Sequence, residues 1–325
     1  KNSLDIKLKY YLDFEEPIRL LDEEISSKES VSEPSKEVTK EIAKLHEKRL
    51  QQINKIHSSL SRWQHVQLAR HPQRPYALDY INTIFTDFIE MHGDRLYADD
   101  PAVVSGFAKI NEQKIAIIAQ QKGRNTKENL YRNFGMMRPE GYRKAMRIMK
   151  LAEKFKLPVV TFMDTPGAFP GIGAEERGQA EAIATNLINM SSLKVPIVSV
   201  VIGEGASGGA LGIGLCDRFF MMQNTWYSVI SPEGCASILF RDASKAEEAA
   251  EALKVTPNDM VELGICDKII IEPNGGAHRD IESSSKNLKL AVLDALNELE
   301  SIEPESFIDL RIEKYDKLGV YENTK

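Results

Sequence analysis

This chain of 325 residues is predicted to be an α/β protein, and three features predict it. From Val103 onward, short apolar runs alternate with stretches of helical period. Two of those runs, Val159–Met163 and Ile197–Ile202, pass directly into turns built from glycine, proline and alanine. Such strand-to-helix turns form the binding edge of an open α/β sheet. Ahead of them the pattern is mainly helical, so the chain divides into a helical extension over residues 1–100 and an α/β domain with C-terminal helices over residues 101–325.

In chain order, the residues before Leu12 are expected to lie outside the fold. Glu24–Lys40, rich in serine, lysine and glutamate, reads as a solvated linker. An amphipathic stretch follows, with Val38, Ile42, Leu45, Ile53, Ile56 and Leu60 on its apolar side and a break near Lys48-Arg49. Strands are expected at Val104–Ile110, Ile115–Gln120, Val159–Met163, Ile197–Ile202, Arg218–Met222, Tyr227–Ile230 and Lys268–Ile271. Between them, one helix should bury Tyr142, Ala145, Met146, Met149, Ala152 and Phe155, and another Ala180, Ile183, Ala184, Leu187 and Ile188.

Bulk properties narrow the function. A net charge of −6 offers no electrostatic footprint for nucleic acid, and no apolar run approaches the roughly 20 residues that span a bilayer. The N-terminus lacks the uninterrupted apolar core of a signal peptide. The three cysteines, Cys216, Cys235 and Cys266, are an odd number in apolar segments, as expected of reduced core thiols in an intracellular protein. Neither they nor the six scattered histidines show metal-ligand spacing, so no metal is expected in this chain.

The stretch Gly203-Glu204-Gly205-Ala206-Ser207-Gly208-Gly209 fits more than one motif. As G-x-G-x-x-G it would bind a dinucleotide, but the next strand runs into Gln223 and Asn224, where that motif needs an acid. As G-x-S-x-G it would make Ser207 the nucleophile of a serine hydrolase, with Asp267 and His278 following in the order that α/β-hydrolases use. The plain alternative is close helix packing through small residues. The second turn, Asp164-Thr165-Pro166-Gly167, resembles a GTPase loop but has no phosphate-binding G-x-x-x-x-G-K-[ST] before it. Two glycine-bearing turns after neighbouring strands can bring backbone amides to one crevice, the arrangement of an oxyanion hole.

Lys122–Lys150 carries nine basic residues against Glu128 and Glu140. Arg143, Arg147 and Lys150 fall on a solvated helix face, whereas Lys122, Arg124 and Arg132 lie in a loop after a strand and are the candidates for contact with an anion.

Asp164–Gly171, Ala174–Gln179, Gly203–Ala210 and Ile230–Ser237, with Arg70–Pro75, His92–Arg95 and Arg132–Met136, resemble the carboxyltransferase α subunit of bacterial-type acetyl-CoA carboxylase, from about Leu12 to the C-terminus. The resemblance implies a crotonase/ClpP-like fold of repeated ββα units. It implies transfer of a carboxyl group from carboxybiotin to acetyl-CoA, giving malonyl-CoA for fatty-acid synthesis. Gly208 and Gly209 would donate backbone N–H groups to the ureido oxygen of biotin. Gly167, Ala168, Phe169, Gly205, Ala206, Ser207, Ser231 and Glu233 would surround the biotin, with Tyr227 a further wall. The implied partners are a zinc-containing β subunit in an α2β2 assembly, the biotin carboxyl carrier protein and biotin carboxylase, in a bacterial cytoplasm or a plastid stroma. Ala206 departs from the glycine that many relatives carry, which would matter if that residue required a positive φ.

Overall fold

The computed structural model describes residues 10–30 and 35–319. Residues 1–9, most of the stretch expected outside the fold, and 31–34 of the expected linker lie outside the described residues.

Four helices come first: α1 (Glu16–Glu29), α2 (Lys36–His57), α3 (Arg62–Ala69) and α4 (Ala77–Ile84). Strands β1 (Thr86–Glu90), β2 (Val103–Ile110) and β3 (Gln113–Gln120) follow, then α5 (Thr126–Tyr131) and α6 (Pro139–Lys154). Next come β4 (Val159–Thr165), α7 (Ile172–Glu176), α8 (Gln179–Ser192), β5 (Ile197–Ala206), α9 (Ser207–Gly214), β6 (Arg218–Met222) and β7 (Trp226–Ser228). The chain closes with α10 (Pro232–Leu239), α11 (Ala246–Leu253), α12 (Pro257–Glu262), β8 (Lys268–Ile270), α13 (Ile281–Glu300) and α14 (Ser306–Asp316).

One mixed sheet runs in the order β1-β2-β3-β4-β5-β6-β8, with β7 pairing the far end of β5. The first two pairings are antiparallel and the others parallel. The central strands β4 and β5 are buried along their whole length, which is why they read as unbroken apolar runs. One face of the sheet, through Val160, Phe162, Val198 and Val200, packs on α4 and α13. The other, through Met163, Ile197 and Val201, packs on α6, α8 and α9.

Several expectations need correction. Glu24–Lys40 is not an open linker: Glu24–Glu29 belongs to α1 and Lys36–Lys40 to α2. Ser35 caps α2 by accepting the Val38 N–H at 3.3 Å, and the helix runs unbroken through Lys48-Arg49. Tyr11 is part of the fold, donating its hydroxyl to Asp22 at 2.8 Å. β1 is an edge strand inside the stretch read as a helical extension. Val229 and Ile230 lie beyond β7, and Val229 is 78% exposed.

On α6 the predicted face is buried except Phe155, which caps the helix and points to solvent. On α8 the predicted face is mostly wrong, although Ile183 is partly buried against the core. Gln179, Ala182, Asn186 and Met190 face the protein, and Ala180, Ala184 and Ile188 face outward, Ile188 at 71% exposure. Asn186 wins its interior position by donating to the carbonyls of Tyr142 (3.0 Å) and Gly212 (2.9 Å), a polar tie that hydrophobic periodicity cannot register.

Candidate active site

Strand β5 ends at Ala206, and α9 begins at once with Ser207, whose φ of 57° makes the sharp corner. Ala206 itself is extended (φ −108°, ψ 135°), so replacing glycine there costs nothing, and the positive φ falls on the serine. Helices α2, α3, α5, α10, α12 and α13 each begin with a side chain that accepts a backbone N–H; α9 has no such cap. Gly208 and Gly209 are its second and third residues, among the four whose N–H groups find no acceptor within a helix. The helix dipole adds to their pull on negative charge.

The β4 loop lies directly against this corner. A Cβ at Gly209 would stand 2.3 Å from the carbonyl carbon of Gly167 and 2.7 Å from the nitrogen of Ala168, so only glycine permits the approach. Gly167 takes a φ of 152°, with its N–H turned to Thr165 Oγ1 at 3.2 Å and its carbonyl accepting from the same hydroxyl at 2.7 Å. Gly167 therefore turns both its N–H and its carbonyl to Thr165 within the loop. Phe169 is fixed by its N–H to Met137 O (3.0 Å) and lies under the Arg138 guanidinium at 4.6 Å. Gln120 joins the two loops from below, donating to Gly209 O at 2.7 Å and accepting the Asp164 N–H at 3.1 Å.

Gly205 pairs with Tyr227 across β5 and β7, with no room for a side chain between them. Tyr227 packs edge-on against Phe219 at 5.0 Å, and burial pushes its hydroxyl up to about 12.

A family model described as acetyl co-enzyme A carboxylase carboxyltransferase-like matches residues 11–319. The acetyl-coenzyme A carboxylase carboxyl transferase subunit alpha of Azoarcus sp. is 55% identical over 305 residues, covering 94% of this chain and 95% of that protein. The chain belongs to the acetyl-CoA carboxylase carboxyltransferase family. The family's subunit alpha from Methylococcus capsulatus is 53% identical over 98% of this chain and 99% of that protein. Among solved structures, transcarboxylase 12S matches with a TM-score of 0.54 at 21% identity, over 69% of this chain and 44% of that one. A Pseudomonas malonate decarboxylase hetero-tetramer matches with a TM-score of 0.55 at 14% identity, over 66% and 85%. These likenesses show that the chain shares the fold of these enzymes, and this chain spans less than half of the transcarboxylase chain.

Within this family frame, three predicted anion contacts prove to be internal. Lys122, with 12% of its side chain exposed, places its ammonium between Asp164 Oδ1 (2.6 Å) and Glu204 Oε1 (2.7 Å). Arg124 donates to the Arg74 carbonyl at 2.8 Å, pairs with Asp79 and stacks on Tyr76 at 4.1 Å. Arg132 donates to Pro101 O at 2.8 Å. Part of the basic excess of the segment is met by carboxylates distant in sequence, as Arg143 pairs with Asp94 at 2.8 Å and Lys144 with Asp99 at 2.6 Å.

Ser231 caps α10, accepting the Gly234 N–H at 3.1 Å. Glu233 is held by Arg70 at 2.5 Å, and Arg70 also grips Glu204 at 2.6 Å. Sequence reasoning missed this chain of charges under the two loops because its members lie up to 163 residues apart.

The serine hydrolase alternative fails on geometry. Asp267 is engaged by the Phe219 N–H (2.6 Å) and Lys314 (2.5 Å), whereas His278 is buried and stacked on His71 at 3.9 Å. Asp267 and His278 thus serve different elements, and no base stands behind Ser207 among the described residues.

The stacked histidines approach Glu15 closely enough to suggest metal ligation. A metal lies near the plane of each imidazole that binds it, and rings 3.9 Å apart and only 21° from parallel cannot share one in-plane point close by. His71 Nδ1 also accepts the Gln73 N–H at 3.1 Å, which leaves its proton on Nε2. The cluster is therefore a packing feature that carries a pH signature.

Burial lowers His71 to about 4 and lowers His278 and His65 as well. The native state holds these rings neutral, so below pH 6.5 the unfolded chain takes up protons that the native one refuses. Their contribution is complete above pH 6.5 and is lost as pH falls toward 4, with His71 alone worth about 3 kcal/mol at the end of that range. Thermal midpoints should drop steeply between pH 6.5 and 4, and His71→Gln should flatten the profile.

Proposed function

We propose that this chain is the biotin-side subunit of a carboxyltransferase, moving a carboxyl group from carboxybiotin to acetyl-CoA, and that the uncapped start of α9 performs the chemistry. The observation that carries this reading is the contact of Gly209 with the Gly167–Ala168 backbone, which leaves a helix N-terminus without a side-chain cap beside a glycine loop.

As N1 of biotin loses its carboxyl group, negative charge develops on the ureido oxygen. The N–H groups of Gly208 and Gly209 hold that charge better than they hold the ground-state carbonyl, and they need no reorganisation to do so. One misplaced donor of this kind costs about 10²–10³ in kcat. The ureido nitrogen freed by transfer takes the methyl proton of acetyl-CoA, so no side chain of this subunit need act as an acid or base.

The β subunit supplies the rest of the acetyl-CoA site in this reading, with zinc in that partner and an α2β2 assembly. The biotin carrier and biotin carboxylase complete the system, and the site of action is the cytoplasm. Support for the partner comes from α8, whose outward apolar face of Ala180, Ala184 and Ile188 continues toward the loops: Ile183 Cδ1 lies 3.4 Å from where a Cβ at Gly208 would stand. The predicted helical extension over residues 1–100 is read as a buttress for this site, because Arg70, directly after its third helix, reaches Glu204.

Reconstitution tests the reading. Malonyl-CoA formation should require this chain, the β subunit and a biotinylated carrier together. Ser207→Ala should lower turnover by less than about threefold, since the hydroxyl is spectator to backbone donors. Activity of the isolated chain on esters, lost in Ser207→Ala, would overturn the proposal.

A further inference from the structure

The two loops of the proposed oxyanion site hang from strands that are out of step. Met163 pairs with Val201, but Thr165 pairs with Gly205, so β5 spends three residues where β4 spends one. The two extra residues form a bulge over Ile202–Glu204, opposite Asp164. Bulges of this kind re-aim the chain beside active sites. Here the bulge sets how far Ser207–Gly209 stands above the Gly167 loop.

The bulge is stitched by charge. Asp164 Oδ1 accepts the Glu204 N–H at 3.0 Å, and Gly203 has no side chain because a Cβ would lie 2.3 Å from that same oxygen. Lys122, two residues past β3, puts its ammonium on Asp164 and Glu204 together and so ties the ends of three strands. We infer that Lys122 is a positioning residue for carboxyl transfer: it locks the β4–β5 bulge, fixes the spacing of the two glycine loops, and neutralises the two carboxylates at that bulge.

The charge balance gives this role its chemical content. Asp164 and Glu204 are both buried, and the other charged or titratable groups facing them are Arg70 directly after α3, Arg74 and Tyr76 ahead of α4, and Glu233 on α10. Arg74 is committed to Glu272, and Arg70 is shared with Glu233. Without Lys122, two carboxylates at the strand ends that lead into the two loops would be left with part of one guanidinium between them. Negative charge there opposes the charge that the α9 amides are set to receive. The intact network has Glu204 lowered to about 2, so in the wild type it is ionised and paired across the neutral range.

This inference rests on the carboxyltransferase reading, and the experiment separates the two. The complex of this chain with its β partner is assayed for transfer between a biotinylated carrier and acetyl-CoA. A wild-type complex that does not transfer sinks the functional reading itself. With an active wild type, Lys122→Met should lower kcat about 100-fold with KM for either substrate within about threefold, because the lost interaction acts in the transition state. The variant should also gain a limb in its pH profile, kcat declining as the Glu204 carboxyl, no longer paired with Lys122, loses its proton.

Adding Glu204→Gln to Lys122→Met should recover about tenfold by removing one uncompensated charge. A kcat within threefold of wild type, or a loss that Glu204→Gln does not relieve, overturns the proposal. Should Lys122→Met fail to assemble, the near-isosteric Asp164→Asn and Glu204→Gln variants decide. Lowered kcat at unchanged KM supports the role, and wild-type kcat in both overturns it.

Discussion

Gly209→Ala should lower kcat of the reconstituted enzyme by about 10²–10³, the loss expected when an oxyanion donor is displaced. The added methyl would fall 2.3 Å from Gly167 C, 2.6 Å from Gly167 O and 2.7 Å from Ala168 N. All three are backbone atoms, so the clash cannot be relieved by rotating a side chain. Either the β4 loop retreats or α9 tilts, and both move the amide of Gly209 relative to that of Gly208. KM for acetyl-CoA should stay within about threefold, because the affected donors act on charge that appears only during reaction.

Stability separates this effect from general damage. Overpacking costs about 1–3 kcal/mol, against about 1 kcal/mol returned by alanine in a helix, so the folded protein should lose little. Gly208→Ala is the control. Its methyl meets only Ile183 Cδ1 at 3.4 Å, an ordinary contact, so its melting temperature should match or exceed that of the wild type. A Gly209→Ala enzyme with wild-type kcat would mean that the contact between the loops does not set the donors.

The strands that frame this site were readable because β4 and β5 are buried on both faces and must be apolar throughout. The strand that escaped notice, Thr86–Glu90, has four exposed residues of five and so lacks any apolar run. The α8 error has the same origin in reverse. Three of its apolar residues, Ala180, Ala184 and Ile188, are on the outside, and its best-buried polar residue, Asn186, is held by two carbonyls. A periodicity argument assumes that apolar means interior, which fails where apolar side chains stand at the surface.

The glycine corners were legible for a different reason. Consecutive glycines directly after a strand announce close backbone approach whatever surrounds them, and Gly209 against Gly167 is that approach. The charges were not legible, because pairing in space is indifferent to spacing in sequence. Lys122, Arg124 and Arg132 read as free cations only because Asp164, Glu204, Asp79 and the Pro101 carbonyl are supplied from other parts of the chain. In a protein whose loops are tied by buried ion pairs, a local excess of lysine and arginine is poor evidence for an anionic ligand.

The second large effect is on stability and concerns the ion pair that underlies the same bulge. Arg74 is fully buried, places Nη2 on Glu272 Oε1 at 2.6 Å, and donates Nε to the carbonyl of Ile202 at 2.8 Å. Glu272 is equally enclosed and accepts from the Asn224 N–H at 3.0 Å and the Ala277 N–H at 2.8 Å. Arg74→Met should cost about 3–5 kcal/mol, since it strands a buried carboxylate and removes the donor from the bulge carbonyl. The pH dependence identifies the cause. In the wild type, Arg74 and its hydrogen bonds hold the Glu272 carboxyl below its ordinary range despite burial, so this contribution is present above the unfolded value of about 4.5 and fades as pH falls. In Arg74→Met only burial and the N–H donors remain, and burial drives the carboxyl upward, so protonation relieves the variant. The gap in urea midpoint between wild type and Arg74→Met should therefore widen from pH 5 to pH 7, and Arg74→Met/Glu272→Gln should close part of it at pH 7. A gap equal at both pH values would show that lost packing, and not the stranded charge, accounts for the damage.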